Sequence, residues 1–258
     1  MQKLEIPLAC LETHIHKDTE HYRTSILEQE IEWVQIEHVA LSDKITIDDS
    51  SRDGYKSVYI FVEGKGDIVA AGARYEIVPE TIFLPNAIET ITISSVDSRL
   101  HYLKISCKLS AQDQIDLGNL PKEHTQNVYC AKFSDCPSYS ESIKSPNTVS
   151  RTILSNEYIP RVAMGTVKTT GPDKVVAHKH PMLEQLFLGL SDNHCVVYAD
   201  NNEVDFPPYS ILHIPLGSIH SVSVERGKAL YYVWMDFFLN KEGEDWLKTH
   251  KVDSDNTI

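Results

Sequence analysis

The chain has 258 residues, enough for two domains of ordinary size, and hydrophobic residues make up 41% of it, so a substantial core can form. Its 24 basic and 37 acidic residues give a formal net charge of −13. Such an acidic surface argues against nucleic acid and membrane partners. It does not argue against an anionic small molecule, because a metal ion or inward basic side chains can reverse the local field.

The beginning of the chain mixes charged and apolar residues and lacks the apolar core of a signal peptide. Nowhere do about 18 apolar residues run together, as a membrane-spanning helix would need. The five cysteines are an odd number at scattered spacings, which is typical of unpaired thiols in a reducing compartment. We therefore expect a cytoplasmic protein.

Short strand patterns dominate the first half of the chain. They are predicted at 31–40, 56–62, 74–78, 90–95 and 99–108. From residue 110 to about 121 the pattern becomes weakly helical, and a polar stretch follows. We place the domain boundary there, which gives domains 1–124 and 125–258.

A second series of strand patterns fills the C-terminal half. They are predicted at 127–133, 158–169, 183–190, 194–199, 209–214, 220–224 and 228–238, with a closing helix at about 240–251. Many short strands at close spacing indicate an all-β sandwich or barrel with few short helices, not a parallel α/β sheet. The two halves are similar in length and strand density, which suggests an internal duplication.

One constellation in the second half carries chemistry. Residues two apart on a strand project to the same face, so His178, His180 and Glu184 could point to one interior. His220 could enter from a second strand that follows a tight turn at 215–217. Three neutral imidazoles and one carboxylate would hold one divalent transition metal (Zn, Mn, Fe, Ni or Co). The metal would keep a formal charge of about +1 and up to two open positions.

These residues resemble the two motifs of the cupin family, H-x-H-x-x-x-E and P-x-G-x-x-H. The resemblance covers about 158–238 and implies a jelly-roll-like β-barrel whose metal ligands are His178, His180, Glu184 and His220. In the N-terminal half, 85–87 resembles the P-x-G turn, but Thr90 stands at the position of the last histidine.

The chain as a whole therefore resembles a bicupin. The resemblance implies a degenerate cupin barrel without metal ligands at 1–124 and a metal-binding cupin barrel with a C-terminal helix at 125–258. Exposed barrel edges commonly pack together, so we expect a homodimer.

Other residues are candidates for roles beside the metal. Asp236 lies in a run of large apolar residues, where a buried carboxylate needs a partner, and it is a candidate general acid or base. Glu184 could also move a proton after release from the metal. Arg161 and Lys174, close to the first motif in the chain, are candidates for binding a substrate carboxylate or hydroxyl.

The leading functional hypothesis is a metal-dependent enzyme acting on a small oxygen-rich metabolite such as a sugar acid, keto acid or ureido acid. Isomerase, lyase and hydrolase chemistry all fit a Lewis-acidic metal beside a carboxylate. One alternative is a dioxygenase resembling quercetinase, in which the same ligands hold Fe, Ni, Co or Cu. Another is a non-catalytic cupin that binds a small molecule, since fold alone does not decide function.

Overall fold

The computed structural model describes residues 5–12 and 19–249, which fold into two compact units. The N-terminal unit comprises 10–136 and 155–160, and the C-terminal unit comprises the described parts of 1–9, 137–154 and 161–258. Within the described chain, no helix combines the length and the apolar character needed to cross a lipid bilayer.

The first half of the chain is built mainly from short strands. Its strands are β1 (Leu8–Cys10), β2 (His21–Ser25), β3 (Val34–Leu41), β4 (Thr46–Ser50), β5 (Tyr55–Glu63), β6 (Gly66–Ala70), β7 (Ala73–Ile77), β8 (Thr81–Leu84), β9 (Thr90–Ser95), β10 (Leu100–Lys108) and β11 (Tyr129–Lys132). Two helices, α1 (Ala111–Asn119) and α2 (Lys122–Gln126), separate the last two strands. Helix α1 begins where Ser110 and Asp113 form a capping box, each side chain bonding the other residue's backbone N–H.

The second half repeats this pattern. After a short 3-10 helix at Phe133–Asp135, its strands are β12 (Ser138–Tyr139), β13 (Val149–Leu154), β14 (Val162–Thr170), β15 (Asp173–His178), β16 (Leu183–Gly189), β17 (Cys195–Ala199), β18 (Asn202–Phe206), β19 (Ser210–Ile214), β20 (His220–Val224) and β21 (Ala229–Phe238). The described chain closes with helix α3 (Lys241–Thr249), and the residues beyond it lie outside the described part.

The N-terminal unit is a sandwich of two antiparallel sheets. One sheet has the order β11-β8-β5-β10-β3-β2 and the other the order β4-β9-β6-β7. Alternate side chains of both sheets meet in one fully buried cluster, because successive residues of a strand point to opposite faces. The cluster includes Val39, Tyr59, Phe61, Ile68 and Ile93.

The C-terminal unit has the same construction. Its larger sheet has the order β1-β19-β16-β21-β14-β13-β12, and its smaller sheet has the order β15-β20-β17-β18. The core between them includes Val167, Phe187, Val197, Leu212 and Val222. The prediction of an all-β protein built from two tandem barrels with few short helices is therefore confirmed.

Several strands were not predicted from the sequence pattern. They are β1, β2, β4, β6, β8, β12, β13, β15 and β18. The predicted strand at 158–169 starts only at Val162, because the chain turns first: the Tyr158 N–H donates to the Ser155 carbonyl, and Arg161 has a φ of +64°. The unpredicted β15 matters most for function, because it ends at the first motif histidine.

Candidate metal centre

Two strands of the smaller C-terminal sheet bring the motif histidines together. His178 ends β15 and His220 begins β20, and the two residues are paired directly across the antiparallel ladder. A tight turn precedes His220, closed by the Ser218 N–H donating to the Pro215 carbonyl at 3.0 Å. The third residue of this turn, Gly217, has a φ of +75°, a conformation that other residues adopt only with strain.

His178, His180 and His220 form one compact cluster. Each offers a potential ligand atom within 4.8 Å of the others. The ring centroid of His178 lies 4.3 Å from that of His220 and 4.9 Å from that of His180, and the His180 and His220 centroids are 5.5 Å apart. Imidazole nitrogens this close repel one another if protonated, but converge well on one cation.

Backbone contacts fix which ring nitrogen can serve as a ligand. Nδ1 of His178 lies 2.7 Å from the Val176 carbonyl oxygen, and Nδ1 of His220 lies 3.2 Å from the Ser218 carbonyl oxygen. A carbonyl only accepts, so Nδ1 carries the proton and Nε2 keeps the lone pair that a metal requires. Nε2 of His220 is buried and has no hydrogen-bond partner in the described chain.

His220 is held in its neutral form. Burial lowers the pKa of its imidazole well below the ordinary value, and the neighbouring His178 and His180 lower it further. The side chain is 2% exposed. A neutral, buried imidazole is the form of histidine that binds transition metals.

The structure does not bring Glu184 to the three imidazoles. The chain leaves β15 after His178 and passes through a turn at 181–182 before β16 begins, so the alternation of faces is not continuous from the histidines to Glu184. A cavity in the C-terminal unit is lined by His178, His180 and His220. Glu184 lies on the opposite face of β16 from this cavity, and its Oε2 is 2.9 Å from Nε2 of His213. The sequence interpretation placed His178, His180 and Glu184 on one strand or gently bent hairpin edge, and the turn at 181–182 interrupts the alternation of faces on which it relied.

The next residue, Gln185, takes the inward position instead. It is 6% exposed and lines the same cavity as the histidines. Gln185 pairs with Asp236 across β16 and β21, and its Nε2 donates to Oδ1 of Asp236 at 2.7 Å. The amide oxygen, Oε1, is therefore turned away from the carboxylate, and it is buried without a partner in the described chain. The sequence reasoning missed this residue, whose only signal was its oxygen-bearing side chain beside Glu184.

Asp236 lies where the sequence analysis expected a buried carboxylate. Its side chain lines the cavity. Burial raises the pKa of Asp236 to about 7, and the hydrogen bond from Gln185 acts in the opposite direction. Arg161 and Lys174 lie elsewhere. The guanidinium of Arg161 donates to the carbonyl oxygens of Phe238 and Leu239, and Lys174 is exposed on β15. Neither belongs to the lining of this cavity.

The cavity has a volume of about 290 Å³ and opens between the two C-terminal sheets. Its lining mixes the histidines with apolar side chains such as Val167, Phe187 and Trp234, and with a few polar groups, a composition typical of small-molecule sites.

The N-terminal unit has hydroxyls where the C-terminal unit has imidazoles. Ser50 and Thr90 pair across β4 and β9, with their side-chain oxygens 3.0 Å apart. The Ser50 and Thr90 side chains are exposed, whereas an ion pair between Lys104 Nζ and Asp49 Oδ1 at 2.5 Å is buried. Among the described residues of this unit, no group of His, Cys, Asp and Glu has metal-binding spacing.

The fold and the site together define a two-barrel β protein with a histidine cluster in its C-terminal barrel. No family model and no curated protein matches the chain. Several solved structures, however, are similar to the chain. Protein Ylba from E. coli is 10% identical with a TM-score of 0.70, covering 92% of each chain. Oxalate decarboxylase from Lactobacillus farciminis is 11% identical with a TM-score of 0.67, covering 97% of this chain and 92% of that one.

A third similar structure is a cupin 2 conserved barrel domain protein from Leptotrichia buccalis. It is 17% identical with a TM-score of 0.60, covering 87% of this chain and 92% of that one. These similarities extend over both units and establish the architecture. The chain has the cupin fold in its two-barrel, bicupin form.

Proposed function

We propose that this protein is a metal-dependent enzyme acting on a small oxygen-rich metabolite in its C-terminal barrel. The observation that carries the proposal is the convergence of His178, His180 and His220 on a cavity that also contains Gln185 and Asp236. A buried imidazole nitrogen and a buried amide oxygen, both without partners in the described chain, fit a metal ion as their shared partner.

The proposed ligands are the three imidazoles and Oε1 of Gln185. Such a set suits Zn, Fe, Ni, Co or Mn, and the bound ion would supply Lewis acidity toward a substrate oxygen. All four ligands are neutral, so the ion keeps its full charge of about +2, where a carboxylate ligand would reduce it.

Residues of the chain itself complete the proposed site. Asp236 accepts a hydrogen bond from the amide nitrogen of Gln185, which holds the amide group and would leave Oε1 available to the ion. The side chain of Asp236 also lines the cavity, and in the proposed reaction it accepts a proton from the bound substrate and returns it. Phe187, Val167 and Trp234 exclude water around the reacting atoms. Isomerase, lyase and hydrolase reactions all use these elements.

Elemental analysis of the purified protein tests the metal site. We expect one equivalent of a divalent transition metal per chain, and its loss in His178→Ala and His220→Ala. His194→Ala is the matched control, because His194 is exposed and lies outside the cluster. Full metal content in both cluster variants would exclude the site.

Turnover of sugar acids, keto acids and ureido acids, measured before and after chelation and after metal restoration, tests the enzymatic role. We expect chelator-sensitive conversion of at least one compound without oxygen uptake. Oxygen consumption would assign an oxygenase instead, and ligand binding without turnover would assign a binding protein.

A further inference from the structure

A short segment at 138–148, here called the strap, forms one wall of the cavity that the three histidines line. It is joined to the larger sheet where β12 pairs with β13, and to the smaller sheet where the Val176 N–H donates to the Ile143 carbonyl at 3.0 Å. The side chain of Ser145 also bonds the carboxylate of Asp173. The strap is thus attached to both sheets of the C-terminal unit.

The strap places a buried ammonium group in the cavity wall. Lys144 lines the cavity and its side chain is only 8% exposed. Its Nζ donates to Oγ of Ser150 at 3.1 Å and lies 5.4 Å from the ring centroid of Tyr139. A buried ammonium without an anionic partner is costly, so Lys144 requires a negative charge nearby.

Glu141 provides that charge in the structure described here. It forms an ion pair with Lys144, and its side chain is 40% exposed. An ion pair with one partner this exposed contributes little net stability, because water and salt screen it. A carboxylate entering the cavity could replace Glu141 beside Lys144 while Glu141 turns to solvent.

The proposed ligand set makes the cavity more attractive to an anion. With four neutral ligands the metal would keep a charge of about +2, and Lys144 adds another positive charge in the same cavity. Opposing them in the lining are Glu141, which can turn outward, and the buried Asp236. The volume of about 290 Å³ limits the ligand to a small molecule.

We propose that the substrate is a small organic acid whose carboxylate binds Nζ of Lys144, and that the strap determines this specificity. The inference rests on the proposed function for the contribution of the metal, but the role of Lys144 can be measured separately. The chemical class is a compact hydroxy, oxo or sugar acid, with one carboxylate for Lys144 and a second oxygen for the metal side of the cavity.

Calorimetric binding of matched pairs tests the proposal. The probes are galacturonate against galactose, and lactate against lactamide, titrated into the full chain with and without metal. We expect each acid to bind about tenfold or more tightly than its neutral counterpart, the ratio expected from one charge-assisted hydrogen bond. Lys144→Met should abolish this ratio, and Lys144→Arg should retain most of it. Glu141→Gln should strengthen acid binding severalfold, because it removes the competing carboxylate.

Ser150→Ala is the matched control, because it removes the hydroxyl that accepts a hydrogen bond from Nζ of Lys144 and leaves the charge of Lys144 in place. Circular dichroism and metal content should be unchanged in all four variants. A full acid preference in Lys144→Met, or none in the wild type, would overturn the proposal. If the wild-type protein bound no metal, the proposed function would fail, and the acid preference of the metal-free protein would still decide the role of Lys144.

Discussion

Two adjacent side chains on β16 illustrate how the site depends on single residues. Glu184 and Gln185 both carry oxygen, but successive residues of a strand point to opposite faces, so only one can face the imidazoles. Glu184 bonds His213 on the face away from the cavity, and Gln185 lines the cavity and bonds Asp236. Whether Glu184 or Gln185 is the proposed fourth ligand would therefore decide the net charge of the site.

At the residue scale we predict that metal affinity depends on the residue at position 185 and not on the residue at position 184. Gln185→Leu removes a proposed ligand oxygen. It should weaken metal binding by at least about 10- to 100-fold, the loss that follows when only a residue hydrogen-bonded to a ligand is removed. Glu184→Gln should leave metal affinity within about twofold, because Glu184 points away from the cluster. Competition with a chromophoric chelator measures both affinities.

The reverse result would restore Glu184 as the ligand, as the sequence motif suggested. Gln185→Glu is an informative companion. It keeps an oxygen ligand and adds a negative charge, so it should bind metal at least as tightly as the wild type. It should also bind galacturonate more weakly, because the charge of the metal is then partly neutralised.

At the scale of elements, periodicity predicted the strongly alternating strands well. The strands at 90–95 and 220–224 were predicted with their observed bounds, and the strand at 183–190 was predicted to within one residue. Strands such as β15 and β18 are short and contain only two or three apolar residues each, so they give a weak strand signal in the sequence. Their structure comes from pairing with β20 and β17, which the local sequence does not reveal.

Strands β3 and β10 hold a buried pair of histidines that should make stability depend on pH. Nε2 of His38 lies 3.2 Å from Nδ1 of His101, and burial, together with His101, lowers the pKa of His38 to about 4. A lowered histidine pKa means that the unfolded chain binds the proton more tightly than the folded chain does. The stabilisation is therefore complete above about pH 6.5 and is lost as the pH falls toward 4.

We predict that His38→Asn reduces this acid sensitivity. Between pH 7 and pH 4.5 the wild type should lose about 2 kcal/mol more of its free energy of unfolding than the variant does. Urea denaturation of both proteins at the two pH values measures the difference. Carboxylates titrate in both proteins, so their contribution to the pH dependence cancels when the variant is compared with the wild type. Equal losses would mean that His38 is already protonated in the folded protein or exposed to water.

At the scale of the whole molecule, the two units have the same two-sheet construction but different interiors. The N-terminal unit has a buried ion pair between Lys104 and Asp49, and an exposed pair of hydroxyls, Ser50 and Thr90, at the strand positions where the C-terminal unit has His178 and His220. The C-terminal unit leaves a cavity lined by imidazoles. A ligand that binds only the folded state stabilises that state, so metal should act on the C-terminal unit.

We predict that chelation lowers the melting temperature of the C-terminal unit. Metal at about 100 times its dissociation constant stabilises a folded domain by about 2.7 kcal/mol, a shift on the order of 10 °C for a domain of this size. Differential scanning calorimetry with and without chelator measures it. In His220→Ala the shift should disappear, and an unchanged shift in that variant would place the stabilising metal elsewhere.

The sequence by itself predicted the fold class, the two-barrel organisation and the grouping of His178, His180 and His220. These features depend on the alternation of residues along strands and on motifs that span one or two strands. Only the tertiary structure decided that Gln185 faces the cavity in place of Glu184, since the turn at 181–182 resets the order of faces. The tertiary structure also brought Lys144, distant along the chain, into the wall of the same cavity. Side chains that meet through strand pairing and through the strap have no common signature in the linear sequence.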